Sequence, residues 1–522
     1  MRKPLVVLAA LSIGFGVLPL PVARAQTDAN QRALNDEYEG TVAATGEADD
    51  DDSDSIPPAT ATPVPEAARG AGQIPIRRLD ERRADGRVIA HIAGRPLIFG
   101  GEYEGVLQAQ HNFGLADLDD DRLRLKNELS LDLLYPFLEN AAVFASIKAL
   151  ADPELYAEDG DRKSEESLEF DEAWLYIDGI LDGHGAIQVG RQNFAEKRTW
   201  WWDTELDALR LYYDHERWHF ELAAAEPLAR DTTAETAIDP KHEDIFRVLG
   251  RASWEWTGRQ SLEAYGLYQH DHSLTPGVGV QVSKREGEDD SDADLLWFGL
   301  RALGSVKTGR AGRFDYWADG ALVRGNEERL RFDADSAEVR VKERVHRRVR
   351  GWALDVGASW TVPLRFDPVI TLGFAQGSGD GDPDDGVDHA FRQTGLQDNK
   401  GKFRGVNRFH YYGALLQPEL ANLRIATFAV GVPLLDDSSV EVVYHRYRQD
   451  EAVPFLRDAR IRAEPNGVNA DIGQEWDIVF GFEEWKHLQL ELVGALFEAG
   501  DAFGELAGKR STEIQFQVNY QF

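Results

Sequence analysis

The chain has 522 residues, a formal net charge of -34 at pH 7 and no cysteine. The acidic balance argues against a nucleic-acid partner, because the phosphates of DNA and RNA would repel it. The lack of cysteine excludes disulfides, thiolate metal sites and cysteine nucleophiles. Beyond the N-terminus no run approaches the ~20 apolar residues of a membrane helix, so the length fits either two or three soluble domains or one large barrel.

Residues 1–25 are predicted to be a secretory signal peptide. Arg2 and Lys3 form a basic start, residues 5–20 are mostly apolar, and the Ala-Arg-Ala triplet at 23–25 fits a cleavage site. An N-terminal membrane anchor is the alternative interpretation. The apolar run is too short for an anchor and ends in prolines, which favours the signal peptide.

Residues 26–90 are predicted to be a disordered periplasmic segment. Five aspartates lie within residues 49–54, four prolines follow, and five arginines lie between residues 77 and 87. Such a composition has little apolar surface to bury. A tether or partner-binding segment is the functional alternative, although charged tails are usually only solvated.

Residues 95–522 are predicted to form one domain, because apolar and polar residues alternate in eighteen segments there. Roughly nine to fifteen residues per segment suits tilted membrane strands better than the shorter strands of soluble sheets. The predicted strands span 97–111, 121–135, 140–151, 167–180, 185–193, 206–214, 218–226, 244–256, 261–270, 293–306, 312–325, 347–361, 367–376, 422–433, 438–449, 471–482, 487–498 and 511–522.

The connections between these segments alternate strictly between long and short. Short periplasmic turns and long extracellular loops are typical of outer-membrane barrels, and an even strand count leaves both termini in the periplasm. The sequence therefore predicts an all-β fold, a transmembrane antiparallel β-barrel of 18 strands in the cell outer membrane, in contact with its lipid. The long connections span 112–120, 152–166, 194–205, 227–243, 271–292, 326–346, 377–421, 450–470 and 499–510.

The last strand has the clearest alternation in the chain. Ile514, Phe516, Val518 and Tyr520 share one face with the terminal Phe522, and acidic or amide side chains occupy the other face. We expect this strand to close the barrel against strand 97–111. A terminal aromatic residue also resembles the signal that outer-membrane proteins present to the barrel assembly machinery, which is therefore an expected partner.

Polar faces of the strands are predicted to line the lumen, since apolar faces of such a barrel contact lipid. A solvated face of a soluble sheet is the alternative for any single strand, but it does not explain the loop pattern. The charged or amide residues predicted to face the lumen include Arg122, Arg124, Lys126, Glu128, Asp132, Arg247, Arg251, Glu255, Arg301, Asp315, Asp319, Gln489 and Glu491.

Tryptophan and tyrosine lie near strand ends, where amphipathic rings anchor a barrel at the lipid headgroups. Trp254, Trp360 and Trp476 are predicted to be such anchors. The Trp-Trp-Trp run at 200–202 lies in a predicted loop instead. Stacking on sugar rings and a place in the girdle of anchors are both open interpretations of this run.

Two stretches carry a family resemblance. The first joins Gly-Arg-Gln at 190–192 to Trp-Asp-Thr-Glu-Leu-Asp-Ala-Leu at 202–209. The second runs from Phe-Arg-Gln-Thr-Gly-Leu-Gln at 391–397 to Glu-Leu-Ala-Asn-Leu at 419–423. In these motifs the chain resembles the alginate export family of outer-membrane channels, over roughly residues 95–522.

The resemblance implies an eighteen-stranded barrel with a positively charged constriction that passes an anionic uronate polysaccharide out of the cell. Guanidinium groups attract the carboxylate of each sugar, so this chemistry suits an acidic polymer. Arg191, Asp203 and Arg408 match positions that line the pore in the family. The implied partners are the polysaccharide and periplasmic export components.

The chain departs from the family at several of its basic positions. Where the family has arginines, this chain has Asp171, Asn193, Gln417, Gln489 and Glu491. A basic zone at another height is then expected from Arg122, Arg124, Lys126, Arg247 and Arg251.

An acidic loop is a weak candidate for calcium, which prefers oxygen ligands. It contains Asp380, Asp382 and Asp384, but its twelfth position is Phe391 and not the glutamate of an EF-hand. A solvated loop is the favoured interpretation. No other metal or cofactor is expected.

Three functions compete at this level. The first is passive export of an anionic, alginate-like exopolysaccharide through a charged lumen. The second is a substrate-selective porin for uptake of small solutes or ions, which the many lumen acids favour. The third is an enzyme on a barrel scaffold, but His219 and His445 lack a recognisable catalytic partner in the sequence. The sequence favours export without catalysis.

Overall fold

The computed structural model describes residues 88–522, except 117–119, 161, 231, 236, 239–242, 258, 274–276, 284–291, 333–337, 383 and 404. The predicted signal peptide and residues 26–87 of the predicted N-terminal segment lie outside the described residues, so both stay predictions. In the described part of the chain, no helix has the length and apolar content that a membrane span requires.

Eighteen antiparallel strands form a closed barrel, in which each strand pairs with the next along the chain. Each predicted strand overlaps one of them, which confirms the predicted fold class and strand number. The strands are β1 (Arg95–His111), β2 (Arg122–Tyr135), β3 (Ala141–Ala157), β4 (Ser164–Ile180), β5 (Gly185–Ala195), β6 (Asp203–His215), β7 (Trp218–Ala225), β8 (Ile245–Thr257), β9 (Gln260–Asp271), β10 (Ala293–Lys307), β11 (Arg313–Phe332), β12 (Glu338–Thr361), β13 (Val369–Gly377), β14 (Leu423–Leu435), β15 (Ser438–Gln449), β16 (Asp471–Trp485), β17 (Leu488–Ala499) and β18 (Arg510–Gln521).

The barrel closes where β18 pairs with β1, as the sequence predicts. The register runs from Glu102 opposite Gln521 to His111 opposite Thr512. Beyond β18, the backbones of Gly101 and Phe522 exchange two hydrogen bonds of 2.9 Å. Closure matters because an unpaired strand edge within lipid leaves backbone donors and acceptors without partners.

Short elements decorate this barrel. Val88–Ile92 pairs with the start of β1, and Gln281–Ser283 pairs with the start of β12. Val387–Asp388 runs parallel to β12. Lys400–Gly401 and Phe409–His410 pair in a separate two-stranded sheet. Two 3-10 turns lie at Gly309–Ala311 and Asp501–Leu506.

Side chains sort onto the two barrel faces as predicted. On β10, Leu296, Phe298 and Leu300 are about half exposed on the outer face. The next residue, Arg301, points into the barrel and is fully buried. Asp319 of β11, opposite Arg301, is also buried inside. Apolar residues outside and charged residues inside are the reverse of a soluble sheet packed on a core, and they fit a barrel surrounded by lipid.

Aromatic side chains stack on the outer face near the strand ends. Trp218 stacks on Trp254 with ring centroids 5.7 Å apart, and Phe314 stacks on Trp360 at 5.6 Å. Trp476 packs at 4.7 Å from its cross-strand neighbour on β15. These places fit rings that anchor a barrel at the lipid headgroups.

The β11–β12 hairpin is longer than the sequence predicts. The prediction ends β11 at 325 and begins β12 at 347, yet the two strands stay paired as far as Phe332 and Val341. The apolar outward residues stop at Leu322 and Trp352, so the lipid-facing pattern ends before the strands do. Pairing continues beyond it because the two strands satisfy each other's backbone groups in water as well.

The closing seam gives a first test. A Cβ at Gly101 would collide with the Ser130 carbonyl oxygen and lie 2.7 Å from the Phe522 ring. We expect Gly101→Val to weaken closure by roughly 1–3 kcal/mol, since overpacking forces the last residue away. Unheated gel mobility of the folded barrel against urea measures this effect. Gly266→Val on β9, where nothing lies within 4 Å, is the matched control and should behave as wild type.

Candidate translocation path

Two connections from the long-loop end of the barrel fold back into the lumen. We call them the plug: residues 196–202, between β5 and β6, and residues 391–403 and 405–422, between β13 and β14. Trp200, Trp201 and Trp202 are almost completely buried, and so are Leu415 and Leu416. The barrel therefore contains an apolar core inside its lumen, at positions that the sequence predicts to be exposed loops.

A buried glutamate anchors the first plug segment. The Glu196 carboxylate accepts hydrogen bonds from the backbone N–H groups of Trp200 and Trp201, at 2.6 and 3.0 Å. It also pairs with the Arg301 guanidinium of β10, which is fully buried. Burial alone would raise the pKa of Glu196, but Arg301 and the backbone donors lower it to about 2. Glu196 therefore stays charged and holds the segment against the wall.

Arg198 links the plug to two further strands. Its guanidinium pairs at 3.0 Å with Asp319 of β11 and at 3.0 Å with Asp355 of β12. The same group lies over the rings of Trp317 and Tyr411, 4.7 and 4.9 Å from their centroids. A buried charge needs such partners, because its desolvation is otherwise too costly.

Acids on β16 hold the second plug segment. Glu475 accepts the backbone N–H of Leu415 at 2.6 Å and that of Leu416 at 3.0 Å. Asp477 accepts the N–H of Ala414 at 3.2 Å. Backbone donors that fold into a barrel lose their water, and these carboxylates replace it.

Water-exposed charges remain between the plug and the β1–β2 wall, and we call this space the luminal gap. Lys126 on β2 and Lys400 on the plug both interact electrostatically with Glu104 of β1. Lys400 interacts in the same way with Glu491 of β17. Lys126 and Lys400 each leave nearly half of the side chain exposed. The gap is therefore lined by partly exposed ammonium groups set among carboxylates.

Arg408 adds a guanidinium to this side of the plug. It is 42% exposed, pairs with Asp203 at 3.3 Å and donates to the Lys400 carbonyl oxygen at 3.3 Å. On the barrel wall Lys148 pairs with Asp171 at 2.9 Å. The plug and the wall thus both carry cations toward water, each with an acid beside it.

The family profile for alginate export matches residues 95–517 of the chain. The chain belongs to the alginate export family. Its barrel lies in the outer membrane, as the sequence predicts, and this family member is a transporter.

The family member is similar to two curated relatives. It is 26% identical over 364 residues to the alginate production protein AlgE of Pseudomonas syringae pv. tomato, covering 64% of this chain and 71% of the relative. It is 25% identical over 369 residues to AlgE of Pseudomonas aeruginosa, covering 66% and 73%.

Solved structures from Pseudomonas aeruginosa are also similar to the family member. OccK5 (OpdH) matches with a TM-score of 0.47 at 11% identity, covering 82% of this chain and 98% of that chain. OccK2 (OpdF) matches with a TM-score of 0.48 at 10% identity, covering 82% and 97%.

Two positions at which the family resemblance implies arginine carry acids within reach of lysines. Asp171 pairs with Lys148, and Glu491 interacts with Lys400. Asn193 donates to Glu205 at 3.0 Å. Lysine is a point charge on a flexible stem, whereas arginine presents a planar fork to a carboxylate. This chain therefore has a lysine close to two positions at which the resemblance implies arginine.

The sequence-predicted site residues fall into two groups in the structure. Their role in lining the path of a substrate stays a prediction. Lys126, Asp203 and Arg408 lie at the luminal gap. Other predicted residues hold ion pairs or hydrogen bonds elsewhere in the barrel: Arg122 with Glu154 and Asp159, Arg124 with Asp152, Arg191 with Asp207, Arg247 with Gln269, and Arg251 with Glu221.

A cavity of about 200 Å³ holds two of these arginines. Arg191 and Arg247 line it together with Arg230 and Glu205. Arg191 binds both carboxylate oxygens of Asp207, at 3.0 and 3.1 Å, so most of its charge is already paired. Arg191 is therefore a poorer candidate than Arg408 for contact with a passing polymer.

The calcium candidates use their carboxylates locally. Asp380 accepts the backbone N–H of Asp382 at 3.4 Å, and Asp382 accepts that of Asp384 at 3.3 Å. Asp384 also pairs with Arg331 at 3.4 Å. Among the residues that the structure describes, no group of three or more His, Cys, Asp or Glu side chains is arranged to hold a metal. Calcium binding by this loop stays a prediction.

Sequence reasoning misplaced the three tryptophans and missed two lysines. Trp201 stacks on Tyr265 of β9 at 5.1 Å inside the lumen, so the run neither joins the girdle nor faces a sugar. Lys148 and Lys400 were not predicted as site residues. The available signal was the apolar content of the loop 377–421, where Leu415 and Leu416 are too apolar for a solvated loop.

The anchor of the plug gives a second test. Glu196→Ala leaves the buried Arg301 with less compensation, at a cost of roughly 3–5 kcal/mol, and frees the backbone donors of 200–201. We expect the plug to leave the lumen in part, which would raise single-channel conductance in a planar bilayer and expose tryptophan to a soluble quencher. Glu505→Ala, at an exposed acid of the connection between β17 and β18, is the control. Unchanged conductance in Glu196→Ala would contradict this role.

The plug also predicts a pH effect through Glu419, whose carboxylate is buried. Burial raises its pKa to about 7, against the opposing pull of Arg457 at 3.7 Å. Since this pKa lies above the ordinary 4.5, the stability it contributes is fully present below pH 4.5 and is lost as the pH rises to 7.

We therefore expect the plug to open more often as the pH rises between these values, and Glu419→Gln to reduce that rise. Burial lowers the pKa of His410 to about 3, so the contribution of His410 to plug stability rises with pH. This opposite trend is the same in wild type and in Glu419→Gln. The difference between wild type and variant, measured as open probability, isolates Glu419. Parallel pH curves for the two proteins would refute its contribution.

Proposed function

We propose that this chain is an outer-membrane channel that exports an anionic, alginate-like exopolysaccharide, and that the polymer passes through the luminal gap. The observation that carries the proposal is the set of exposed cations along the gap, in a barrel of the alginate export family. Lys126, Lys400 and Arg408 leave much of their side chains in water, so uronate carboxylates can reach them. Guidance is electrostatic and requires no catalysis.

The acids of the gap limit how tightly a polymer can bind. Glu104 lies within electrostatic reach of both Lys126 and Lys400, and Asp203 pairs with Arg408. Each cation therefore exchanges one carboxylate for another as a sugar passes. A channel must bind weakly enough to release its cargo, and such exchange keeps the cost of each step small.

Two partners belong to this proposal. Periplasmic export components would deliver the polymer to the short-turn end of the barrel. The barrel assembly machinery would recognise β18, whose backbone ends at Phe522 on the closing seam. Both follow from the expected route of the chain and its cargo.

A porin for small solutes or cations is the second candidate. The observation that favours it is the acid content of the gap, where Glu104, Glu128 and Glu491 accompany the lysines. The two candidates differ in ion selectivity. The reversal potential in a salt gradient across a planar bilayer reports this selectivity. We expect anion preference for the exporter and cation preference for the porin.

Arg408→Gln tests the export route. Removing this exposed guanidinium should shift the reversal potential toward cations and weaken block by uronate oligosaccharides by about three- to tenfold, as expected for loss of one partly solvated charge contact. Both effects are measured on single channels.

Arg446→Gln is the matched control for this test. Arg446 has a similar exposure of 45% and pairs with an aspartate, Asp471, but it lies on the outer face of β15. It should leave selectivity and block unchanged. Equal effects of the two variants, or cation preference in the wild type, would overturn the proposed route of an acidic polymer.

A further inference from the structure

Three arginines stand on the outer face of the β11–β12 hairpin. Arg324, Arg348 and Arg350 are exposed, whereas their neighbours Val323 and Val349 are buried on the inner face. Since side chains alternate along a strand, all three arginines point away from the lumen. They are therefore not part of the translocation path.

The three arginines have no partner among the residues that the structure describes. Arg324 lies directly opposite Arg350, and Arg348 lies opposite Asn326 on the same face. None of the three arginines makes a hydrogen bond or ion pair through its side chain with a described residue. Like charges directly opposite each other on paired strands destabilise a sheet, so this face is suited to an added anion.

Nearby acids are already engaged. Glu328, on the same face, accepts from Arg344 at 3.3 Å. In the acidic loop beside the hairpin, Asp384 pairs with Arg331 at 3.4 Å, and Asp385 accepts a backbone N–H of its own loop at 2.7 Å. Asp294 of β10, on the same face, accepts from Tyr268 at 3.1 Å and pairs with His270. Among the residues that the structure describes, no acid therefore pairs with the three arginines.

The arginines lie immediately above the lipid-facing band of the barrel. On β11, Leu322 is 47% exposed and stands two residues before Arg324; on β12, Trp352 is 44% exposed and stands two residues after Arg350. Two residues span about 7 Å along a strand. The guanidinium groups therefore lie at the level of the lipid headgroups, on the long-loop side of the membrane.

We propose that Arg324, Arg348 and Arg350 form a binding site for the phosphate groups of a phosphorylated glycolipid in the outer leaflet. Guanidinium binds phosphate with two parallel hydrogen bonds, and such charge-assisted pairs are strong where water is reduced, as at a headgroup layer. The exposed Leu322 and Trp352 below would contact the acyl chains of the same lipid. The site fixes the extended hairpin to the membrane surface.

The test uses the full chain, purified in detergent, and a fluorescent bisphosphorylated glycolipid. The triple variant R324Q/R348Q/R350Q should bind this lipid about tenfold or more weakly than wild type, because several charge-assisted contacts are lost. The lysine triple variant R324K/R348K/R350K keeps the charge without the planar fork and should bind with intermediate affinity. Unheated gel mobility verifies that each variant is folded.

The control variant K307Q/R310Q/R365Q removes three exposed charges at the periplasmic turns and should bind the lipid as wild type does. The dephosphorylated glycolipid should bind as weakly to wild type as the intact lipid binds to the glutamine variant. Equal lipid binding by wild type and R324Q/R348Q/R350Q would overturn the site. Full displacement of the lipid by excess inorganic phosphate would show a free-phosphate site instead, and would also overturn the proposal.

Discussion

Every backbone N–H and C=O within lipid must find a partner, and the rest of this structure depends on how the chain meets that constraint. The eighteen strands meet it by closing on themselves through β18 and β1, so that Gly101 and Phe522 complete the seam. A ring of this many strands encloses a lumen too wide for wall side chains to fill. Closure therefore leaves an interior that other parts of the chain must fill.

The plug fills part of this lumen, and its own backbone groups must also find hydrogen-bond partners. Its backbone donors lose water on entering the lumen, and buried carboxylates replace the water: Glu196 for 200–201, and Glu475 with Asp477 for 414–416. Those charges in turn require cations, which Arg301 supplies to Glu196. Many lumen charges are therefore structural, whereas the cations that face the luminal gap remain available to a passing polymer.

Alternation along single strands was enough to predict the barrel, its strand number and the facing of residues such as Leu296 and Arg301. These are local properties, because period two and turn length are written in consecutive residues. The site was predicted less well. Arg251 and Arg408 are both arginines in suitable places, yet one is locked by Glu221 and the other faces water. For Arg408 that difference depends on a partner more than a hundred residues away and on where the plug lies. For Arg251 it depends on an acid of the neighbouring wall strand.

The sequence by itself determined the membrane fold, its closure on an aromatic C-terminal strand and, through its motifs, the family. The tertiary structure alone decided which charges hold the plug and which line the gap, since ion pairs such as Arg198 with Asp319 join strands and loops far apart in the chain. It also decided that Trp200–Trp202 lie inside the lumen. A loop that folds inward and one that stays in water differ in what they pack against, and packing partners are not encoded in local periodicity.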